Sequence, residues 1–447
     1  MKARLVIPES LEHELRRHLL AAAPLEHGAA LLLGAAQVEG GVALLARRLI
    51  LAPPDGFRIQ EQARWAPSTG WLSRLVGEAD EAKAGIALVH SHPMMNTASR
   101  SEADSWADEL VAPFFSSNLG DRPFASLVLT ESEIAGSAWI RGDQAPITEV
   151  RIPGSVLRRQ VGDTATAGAN RLYARQILLF GEDGQRRLEN LSVAVVGVGG
   201  TGSAVSEQLV RMGVGSVMVV DSDVLDESNV SRVYGSRSGD VGKAKAAVVG
   251  DALKGIGGHT SIVAIEGDVR ARSVATRIVR FADVIFGCTD THSSRAVLND
   301  IAYQYMTPTL DVGLRVGIGE SGPTSATLEM RILRPDLPCL WCYGILDGRR
   351  VSEEMMQPGR RERLEDEGYV QRREPAATII PYTTLVASFA TARFLAMTTG
   401  LTDYEPGVFV FDALTFDGWR RTSPKTECTC TQRQGLGDSR AVWMIDD

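Results

Sequence analysis

Two histidines and an aspartate stand at a spacing that suits a catalytic metal ion. His90 ends the apolar run GIALVH, His92 lies two positions further on, and Asp104 follows twelve residues after His92. Side chains two positions apart at the end of a strand share a face and can reach one ion, while an aspartate on the next helix can supply a third ligand. Three protein ligands leave one coordination position open, which is typical of a catalytic zinc site.

Hydrolysis at such a site also needs a base, because zinc acidifies a water molecule whose proton must then be removed. Glu26, in the segment LEHGAALLLG, is the candidate. A lone His-x-His pair is nevertheless a common pattern. The residues alone therefore leave open a scaffold domain that carries them without a metal.

Together, Glu26 before an apolar run, the segment HSHP after a strand and Ser101-x-x-Asp104 resemble the motif of the JAMM (MPN-plus) metalloproteases. The resemblance covers about residues 1–150. It implies that His90, His92 and Asp104 hold zinc, that Glu26 is the acid/base and that Ser101 helps to stabilise the oxyanion. Eight residues separate His92 from Ser101, one more than the family usually has.

A glycine-rich turn further along the chain predicts a nucleotide site. The apolar run LSVAVVG leads into a helix through Gly197, Gly199, Gly200 and Gly202. Glycines let the backbone approach phosphate, and the helix N-terminus supplies N–H groups and a positive dipole. Asp221 ends the next apolar run, where its carboxylate can bond a ribose hydroxyl. These residues alone fit NAD as well as ATP.

The polar residues that follow favour a triphosphate. Asn229, Arg232 and Lys245 come after Asp221, and Asp290 follows the apolar run ADVIFGCT. Basic side chains can clamp the charge of a triphosphate. A carboxylate at the end of a strand can face the phosphates as a magnesium ligand.

This constellation resembles the adenylation domain of the ubiquitin-activating and ThiF family over about residues 168–432. The resemblance implies that Asn229, Arg232 and Lys245 contact ATP and that Asp290 binds Mg²⁺. It also implies a homodimer in which Arg175 reaches the ATP of the partner. Val233 stands where the family usually has glutamine. The chemistry implied is attack of a carboxylate on the α-phosphate, which releases pyrophosphate.

The cysteines indicate a second, structural metal. Five cysteines are too few for a disulfide scaffold in a chain of this length, and four of them form two close pairs, Cys339/Cys342 and Cys428/Cys430. They resemble the structural zinc site of the ThiF family, although the second pair is C-x-C where the family usually shows C-x-x-C. The alternative is two pairs of ordinary reduced thiols.

The fifth cysteine, Cys288, lies in an apolar run and is expected to be inert. Many relatives that form a thioester carry a nucleophilic cysteine before the last apolar helix, but residues 343–427 contain none. We therefore expect adenylation without a thioester on this chain.

Composition and patterning place these sites in an α/β protein. The 447 residues are 44% apolar and carry a net charge of −8, which argues against a nucleic-acid surface. No signal peptide or membrane-spanning run is evident, so a cytoplasmic protein is expected. A mixed α/β domain is predicted over residues 1–150, a linker over 151–167 and a Rossmann-like, doubly wound adenylation domain over 168–447, because strands and helices alternate there.

The sequence thus predicts an enzyme that uses ATP, Mg²⁺ and Zn²⁺ to adenylate the C-terminal glycine of a ubiquitin-like protein. A zinc isopeptidase would process the same modifier. Two alternatives stay open: the substrate is a short peptide or a sulfur carrier, or the chain is a non-catalytic interaction protein. The activated carboxylate is expected to pass directly to a nucleophile or to the thiol of a separate protein.

Overall fold

The computed structural model describes residues 2–161, 171–368, 370, 376–402, 407–415 and 428–445. The chain divides into two compact units. The first comprises residues 1–166, 304–306 and 434–440, and the second comprises 167–303, 307–433 and 441–447. The two short later segments were not anticipated in the domain limits drawn from the sequence.

The first unit is a mixed α/β structure. Its described strands are β1 (Lys2–Val6), β2 (Gly28–Val38), β3 (Gly41–Leu51), β4 (Phe57–Gln60), β5 (Trp65–Pro67), β6 (Gly85–Ser91), β7 (Phe124–Leu129), β8 (Ile134–Ile140), β9 (Asp143–Ile152) and β10 (Arg158–Val161). Its helices are α1 (Glu9–Leu20), α2 (Thr69–Ala82) and α3 (Glu102–Leu119). The sheet runs β1-β3-β2-β6-β7-β8-β9-β10, β1 also pairs with β9, and β4 and β5 form a separate hairpin.

The predicted linker begins too early for this structure. β9 runs to Ile152, and β10 pairs with it in the antiparallel sense. The part of the predicted linker from residue 162 onward lies outside the described residues.

Strand β6 carries the histidines from the middle of the first sheet. It pairs with β2 on one side and with β7 on the other, and all seven of its residues are buried. Alternate side chains of β2 point to opposite faces of the sheet and pack in two different cores. Leu31 and Leu33 pack in the core that includes α1, whereas Ala30 and Leu32 pack with α2 and α3. Helices on both faces explain why β2 and β6 read as continuous apolar runs.

A buried carboxylate ties the end of the first unit to its start. Glu149 on β9 forms ion pairs with Arg4, Arg151 and Arg159, from β1, β9 and β10. Burial alone would raise the pKa of Glu149, but the three arginines outweigh burial and lower it to about 2. The carboxylate therefore stabilises the unit above the unfolded pKa of about 4.3, and this contribution is lost as the pH falls towards 2.

Replacing Glu149 by glutamine is expected to lower the free energy of unfolding of the first unit by about 3 kcal/mol at pH 7, because three guanidinium groups lose their carboxylate. Urea unfolding followed by hydrogen exchange of the β9 amides measures the change. The difference from wild type should narrow below about pH 4. Glu81→Gln, at an exposed glutamate of α2, is the control. Equal stability of Glu149→Gln and wild type at pH 7 would contradict the expectation.

The second unit is a doubly wound α/β structure. Its described strands are β11 (Ser192–Val196), β12 (Ser216–Asp221), β13 (Ser261–Glu266), β14 (Val284–Gly287), β15 (Thr309–Gly319), β16 (Gly322–Leu333) and β17 (Val408–Asp412). Its helices are α4 (Ala174–Glu189), α5 (Gly200–Arg211), α6 (Lys245–Lys254), α7 (Arg272–Phe281), α8 (His292–Gln304), α9 (Gly348–Glu354), α10 (Pro358–Asp366), α11 (Ile380–Thr399) and α12 (Thr429–Arg433).

The second sheet confirms the predicted fold class. Its order is β13-β12-β11-β14-β15-β16-β17, and its first five strands are parallel. The chain winds outward from β11 to β13 and then returns to β14, so the order reverses between β11 and β14. Ligands of such sheets bind beyond the carboxyl ends of the strands at this reversal. Among the described residues, no helix is long and apolar enough to cross a membrane.

Candidate functional site

The first unit brings the predicted metal residues together at one end of β6. His90 is the penultimate residue of β6, His92 follows the strand, and Asp104 lies in the first turn of α3. Glu26 lies just before β2, whose Gly28 pairs with His90. Both histidines and Glu26 are buried.

The ligand atoms of these residues converge on one point. The Nε2 atoms of His90 and His92 are 3.1 Å apart. Asp104 Oδ1 is 3.0 Å from His90 Nε2, and Asp104 Oδ2 is 3.5 Å from His92 Nε2. Glu26 Oε1 is 3.6 Å from His92 Nε2. Two imidazole nitrogens facing one carboxylate are the donors that zinc prefers, so these residues fit the implied metal.

Electrostatics separate the two carboxylates of this site. Burial raises the pKa of Glu26 to about 7; His92 opposes this rise and Asp104 adds to it. Burial would also raise the pKa of Asp104, but hydrogen bonds with both histidines outweigh burial and hold it far below its usual range. Asp104 therefore remains an anion suited to a ligand, whereas Glu26 can gain and lose a proton near neutral pH.

Ser101 is occupied at the start of α3. Its hydroxyl accepts a hydrogen bond from the Asp104 N–H at 3.1 Å and donates one to Asp104 Oδ2 at 2.8 Å. Its own N–H donates to the same oxygen at 2.7 Å. This reciprocal cap orients the Asp104 carboxylate. The predicted contact between Ser101 and an oxyanion stays a prediction.

The glycine turn of the second unit follows β11 and leads into α5. A Cβ added to Gly202 would lie 1.8 Å from the carbonyl oxygen of Gly197, so the turn closes only around glycine. A Cβ added to Gly199 would have no atom of the described residues within 4 Å. The backbone of Gly199 is therefore open to approach by a phosphate.

Alanine at these two positions is expected to act in different ways. Gly202→Ala should disrupt the turn and lower the melting temperature of the second unit, because its methyl group collides with the backbone. Gly199→Ala should leave the melting temperature near that of wild type but weaken ATP binding, because its methyl group occupies the open side of the turn. Thermal melting and calorimetric titration with Mg-ATP check the pair. A cooperative, unshifted melt for Gly202→Ala would contradict the geometry.

The polar residues around the turn are also positioned by the fold. Asp221 accepts hydrogen bonds from the N–H groups of Val198 at 2.7 Å and Asp223 at 2.9 Å, and burial raises its pKa. Lys245, the first residue of α6, pairs with Asp223 at 2.9 Å. Asp223 was not assigned a role from the sequence, although its neighbour Asp221 was. It holds the lysine beside the end of β12.

Arg232 and Asn229 lie in the loop after β12. The Arg232 side chain passes 3.3 Å from the position of a Cβ added to Gly200, which brings it to the glycine turn. Its Nη1 donates to the Ser228 carbonyl at 2.8 Å. Asn229 is buried, and its amide nitrogen donates to the Ser228 hydroxyl at 3.3 Å.

Asp290 and Arg175 are both exposed. Asp290 follows β14, next to the glycine turn: a Cβ on Gly197 would lie 2.6 Å from the Cys288 carbonyl oxygen. Asp290 thus lies two residues after a backbone contact with the glycine turn, and its predicted binding of magnesium stays a prediction. Arg175 lies in the first turn of α4. Its predicted target is in a second copy of the chain.

The four paired cysteines form one buried cluster. The Sγ of Cys339 is 3.6 Å from that of Cys342 and 3.2 Å from that of Cys428, and the Sγ atoms of Cys342 and Cys430 are 3.8 Å apart. All four sulfurs lie within 4.8 Å of one another. The set fits a closed zinc site, to which the short C-x-C pair contributes Cys430 from α12.

The remaining cysteine, Cys288, has the properties of a poor nucleophile. Burial raises the pKa of Cys288 well above its usual range, and the neighbouring Asp311 raises it further. Because the thiolate is the nucleophile, a thiol held neutral is a poor one.

The model of the ThiF family matches residues 173–432. The sulfur carrier protein ThiS adenylyltransferase of Bacillus subtilis is 32% identical over 174 residues, which are 38% of this chain and 49% of that protein. The SAMP-activating enzyme E1 of Haloferax volcanii is 34% identical over 131 residues, 29% of this chain and 48% of that protein. The matches thus span about half the length of these relatives.

Among solved structures, a crystal structure of E. coli MccB with MccA-N7isoASN is 18% identical to the chain. The match covers 59% of this chain and 75% of the MccB chain, with a TM-score of 0.47.

Proposed function

The chain belongs to the ThiF family, and from this membership we propose that its second unit adenylates the C-terminal carboxylate of a ubiquitin-like protein. The family match covers the glycine turn, the basic residues and Asp290. The observation that carries the proposal is the open turn at Gly199 with Arg232 beside it, at the point where the strand order reverses.

In the proposed reaction, a carboxylate oxygen of the modifier attacks the α-phosphorus of ATP. A bond forms between that oxygen and phosphorus, the bond from phosphorus to the β-phosphate bridge breaks, and pyrophosphate leaves. The N–H groups at the start of α5 hold phosphate oxygens, and Lys245 and Arg232 balance the charge on the leaving pyrophosphate. Asp221 holds the ribose. Magnesium at Asp290 would supply further positive charge at the phosphates.

The names of two relatives support a small carrier or modifier protein as the substrate. One relative is named for the sulfur carrier ThiS and another for SAMP activation. The raised pKa of the half-buried Cys288 keeps its thiol neutral, which does not suit a thioester, so we propose that the acyl-adenylate passes to a separate nucleophile. A homodimer would bring Arg175 of one protomer to the ATP of its partner.

ATP–pyrophosphate exchange tests this proposal. The full chain is mixed with Mg-ATP, labelled pyrophosphate and, one at a time, ubiquitin-fold proteins that end in Gly-Gly. Exchange with at least one of them, and none with the same protein amidated at its C-terminus, is the expected result. Exchange with a short peptide that ends in glycine, but with no folded protein, would favour the alternative substrate. No exchange with any of these substrates would contradict adenylation.

We further propose that residues 1–150 act as a JAMM-type zinc isopeptidase on the same modifier. His90, His92 and Asp104 would hold the zinc, and their convergence supports this. Zinc there would acidify a water molecule and polarise the scissile carbonyl. Glu26 takes the proton from the water and returns it to the leaving amine, which its pKa of about 7 suits. Ser101 keeps Asp104 oriented.

The metal content of the purified chain tests both proposed zinc sites. We expect two zinc ions per chain, one at the histidines and one at the four cysteines. His92→Ala should lose the first and Cys428→Ser the second, because each variant removes a ligand from one site only. Elemental analysis after gel filtration measures the content. Wild-type protein without zinc, or with an unchanged content in His92→Ala, would leave a non-catalytic first unit as the better account.

A further inference from the structure

A tryptophan outside the metalloprotease motif lies flat against one of its histidines. The rings of Trp65, in β5, and His90 are stacked with centroids 5.4 Å apart and planes 10° apart. We propose that Trp65 is a positioning residue for the metal ligand His90, an inference that rests on the metalloprotease function proposed above. Trp65 is neither a predicted ligand nor the predicted acid/base, and its proposed effect passes through the imidazole on which it stacks.

The strand beside His90 is built to admit this ring. Gly28 of β2 pairs directly with His90 of β6. A Cβ added to Gly28 would lie 2.1 Å from Cζ2 of Trp65 and 2.3 Å from its Cε2. Any side chain at position 28 would therefore displace the indole from the histidine. Position 28 must therefore be glycine to leave space for the Trp65 indole.

Other aromatic rings fix the indole from behind. Phe57 and Trp71 meet Trp65 edge-on, with centroids 6.2 Å and 6.3 Å away. Trp71 is only 2% exposed and belongs to the core beneath α2. The hairpin that carries Trp65 is thus packed against the core, so the indole can hold the ring of His90 in place.

The same hairpin also holds the proposed base. The N–H of Glu26 donates to the carbonyl oxygen of Glu61, between β4 and β5, at 2.8 Å. One short hairpin therefore contacts both a ligand and the acid/base residue. The stack of Trp65 holds the ring of His90, and the hydrogen bond from Glu26 to Glu61 holds the backbone of Glu26.

The stack has a direct consequence for metal binding. With its ring held, His90 presents Nε2 to Asp104 at 3.0 Å and to His92 Nε2 at 3.1 Å. Without the indole, the imidazole can rotate away from this geometry, and re-ordering it costs affinity for the ion. Residues that support metal ligands are typically worth 10- to 100-fold in affinity, and the lower end suits a contact without a hydrogen bond.

A simpler explanation is that Trp65 only fills space in the core. Substitutions of aromatic residues in this unit distinguish that explanation from a role in positioning His90. Trp65→Leu keeps apolar volume but removes the flat ring, whereas Trp65→Phe keeps a flat ring. Trp139→Leu makes the same change at another tryptophan of this core, one that packs against Phe124. Gly28→Ala displaces the indole without removing it, and it keeps the question answerable if Trp65→Leu does not fold.

The experiment is a zinc competition against a colorimetric chelator with the full chain, alongside the absorption spectrum of Co²⁺ at the histidine site. We expect zinc to bind about tenfold more weakly in Trp65→Leu and Gly28→Ala, with an altered Co²⁺ spectrum. Trp65→Phe and Trp139→Leu should behave like wild type. Wild-type affinity and spectrum in both Trp65→Leu and Gly28→Ala would overturn the inference, as would an equal loss in Trp139→Leu. Absence of zinc from the wild-type histidines would instead remove the metalloprotease proposal itself.

Discussion

Replacing Lys245 by methionine is expected to lower the rate of ATP–pyrophosphate exchange by about 10²- to 10³-fold. The lysine is largely buried at the start of α6, with 13% of its side chain exposed, and it pairs with Asp223. Its removal takes away a positive charge where pyrophosphate leaves. It also frees a carboxylate that then repels the triphosphate. The loss should therefore be larger than that from removing an exposed cation.

Lys243→Met is the matched control. Lys243 lies two residues earlier, pairs with Asp240 at 2.8 Å and is 61% exposed. Its replacement changes the net charge by the same amount but should leave exchange within about twofold of wild type, as for an exposed ion pair. The test is the same labelled-pyrophosphate assay with a modifier that supports exchange. A similar loss in both variants, or wild-type exchange by Lys245→Met, would count against the proposed phosphate contact.

Glutamine in place of Glu26 is expected to lower isopeptidase activity by about 10²- to 10⁴-fold, the range typical of a lost acid/base group. Zinc content should remain that of wild type, because both histidines and Asp104 are intact. The substrate is the modifier coupled through its C-terminal glycine to a fluorogenic amine, and release of the amine is followed with time.

Glu61→Gln is the control for Glu26→Gln. Glu61 lies in the neighbouring hairpin, and its contact with Glu26 uses its backbone carbonyl, so the side-chain change should leave hydrolysis unchanged. ATP–pyrophosphate exchange should be unaffected in both variants. Hydrolysis that survives Glu26→Gln would rule out this glutamate as the base.

The second unit could be predicted closely because its signals are local. The apolar runs of β11, β12 and β14 are buried strands, and the glycine turn sits at a strand-to-helix step. Such steps are encoded within a few residues. The proximity of His90, His92, Asp104 and Glu26 was also expected, from their spacing and from family resemblance together, and their roles as ligands and base stay predictions.

The end of the first unit could not be predicted because β10 has no apolar pattern. Its sequence is RRQV, which reads as linker. Its arginines are held by carboxylates elsewhere in the unit, Arg159 by Glu149 on β9 and Arg158 by Glu12 on α1, and the strand pairs with β9 in the antiparallel sense. Residues 434–440 likewise join the first unit far from their place in the sequence. Long-range pairing of polar residues leaves no periodic signal.

Two features of the candidate metal site could also not be read from the sequence. Trp65 belongs to the three-residue strand WAP, and its ring stacks on that of His90, 25 positions further along the chain. Ser101 matched the motif, yet its hydroxyl is occupied by the cap of α3. Side-chain contacts of this kind depend on packing, so only the structure reveals them.

The central claim is that a carboxylate of the modifier attacks the α-phosphorus of ATP. The most direct test uses a Gly-Gly-ended modifier that supports exchange, with oxygen-18 in its terminal carboxylate, followed by release of the acyl group to an added nucleophile. The account predicts AMP that carries one heavy oxygen, found by mass spectrometry. Unlabelled AMP, or ADP with the heavy oxygen in inorganic phosphate, would contradict it.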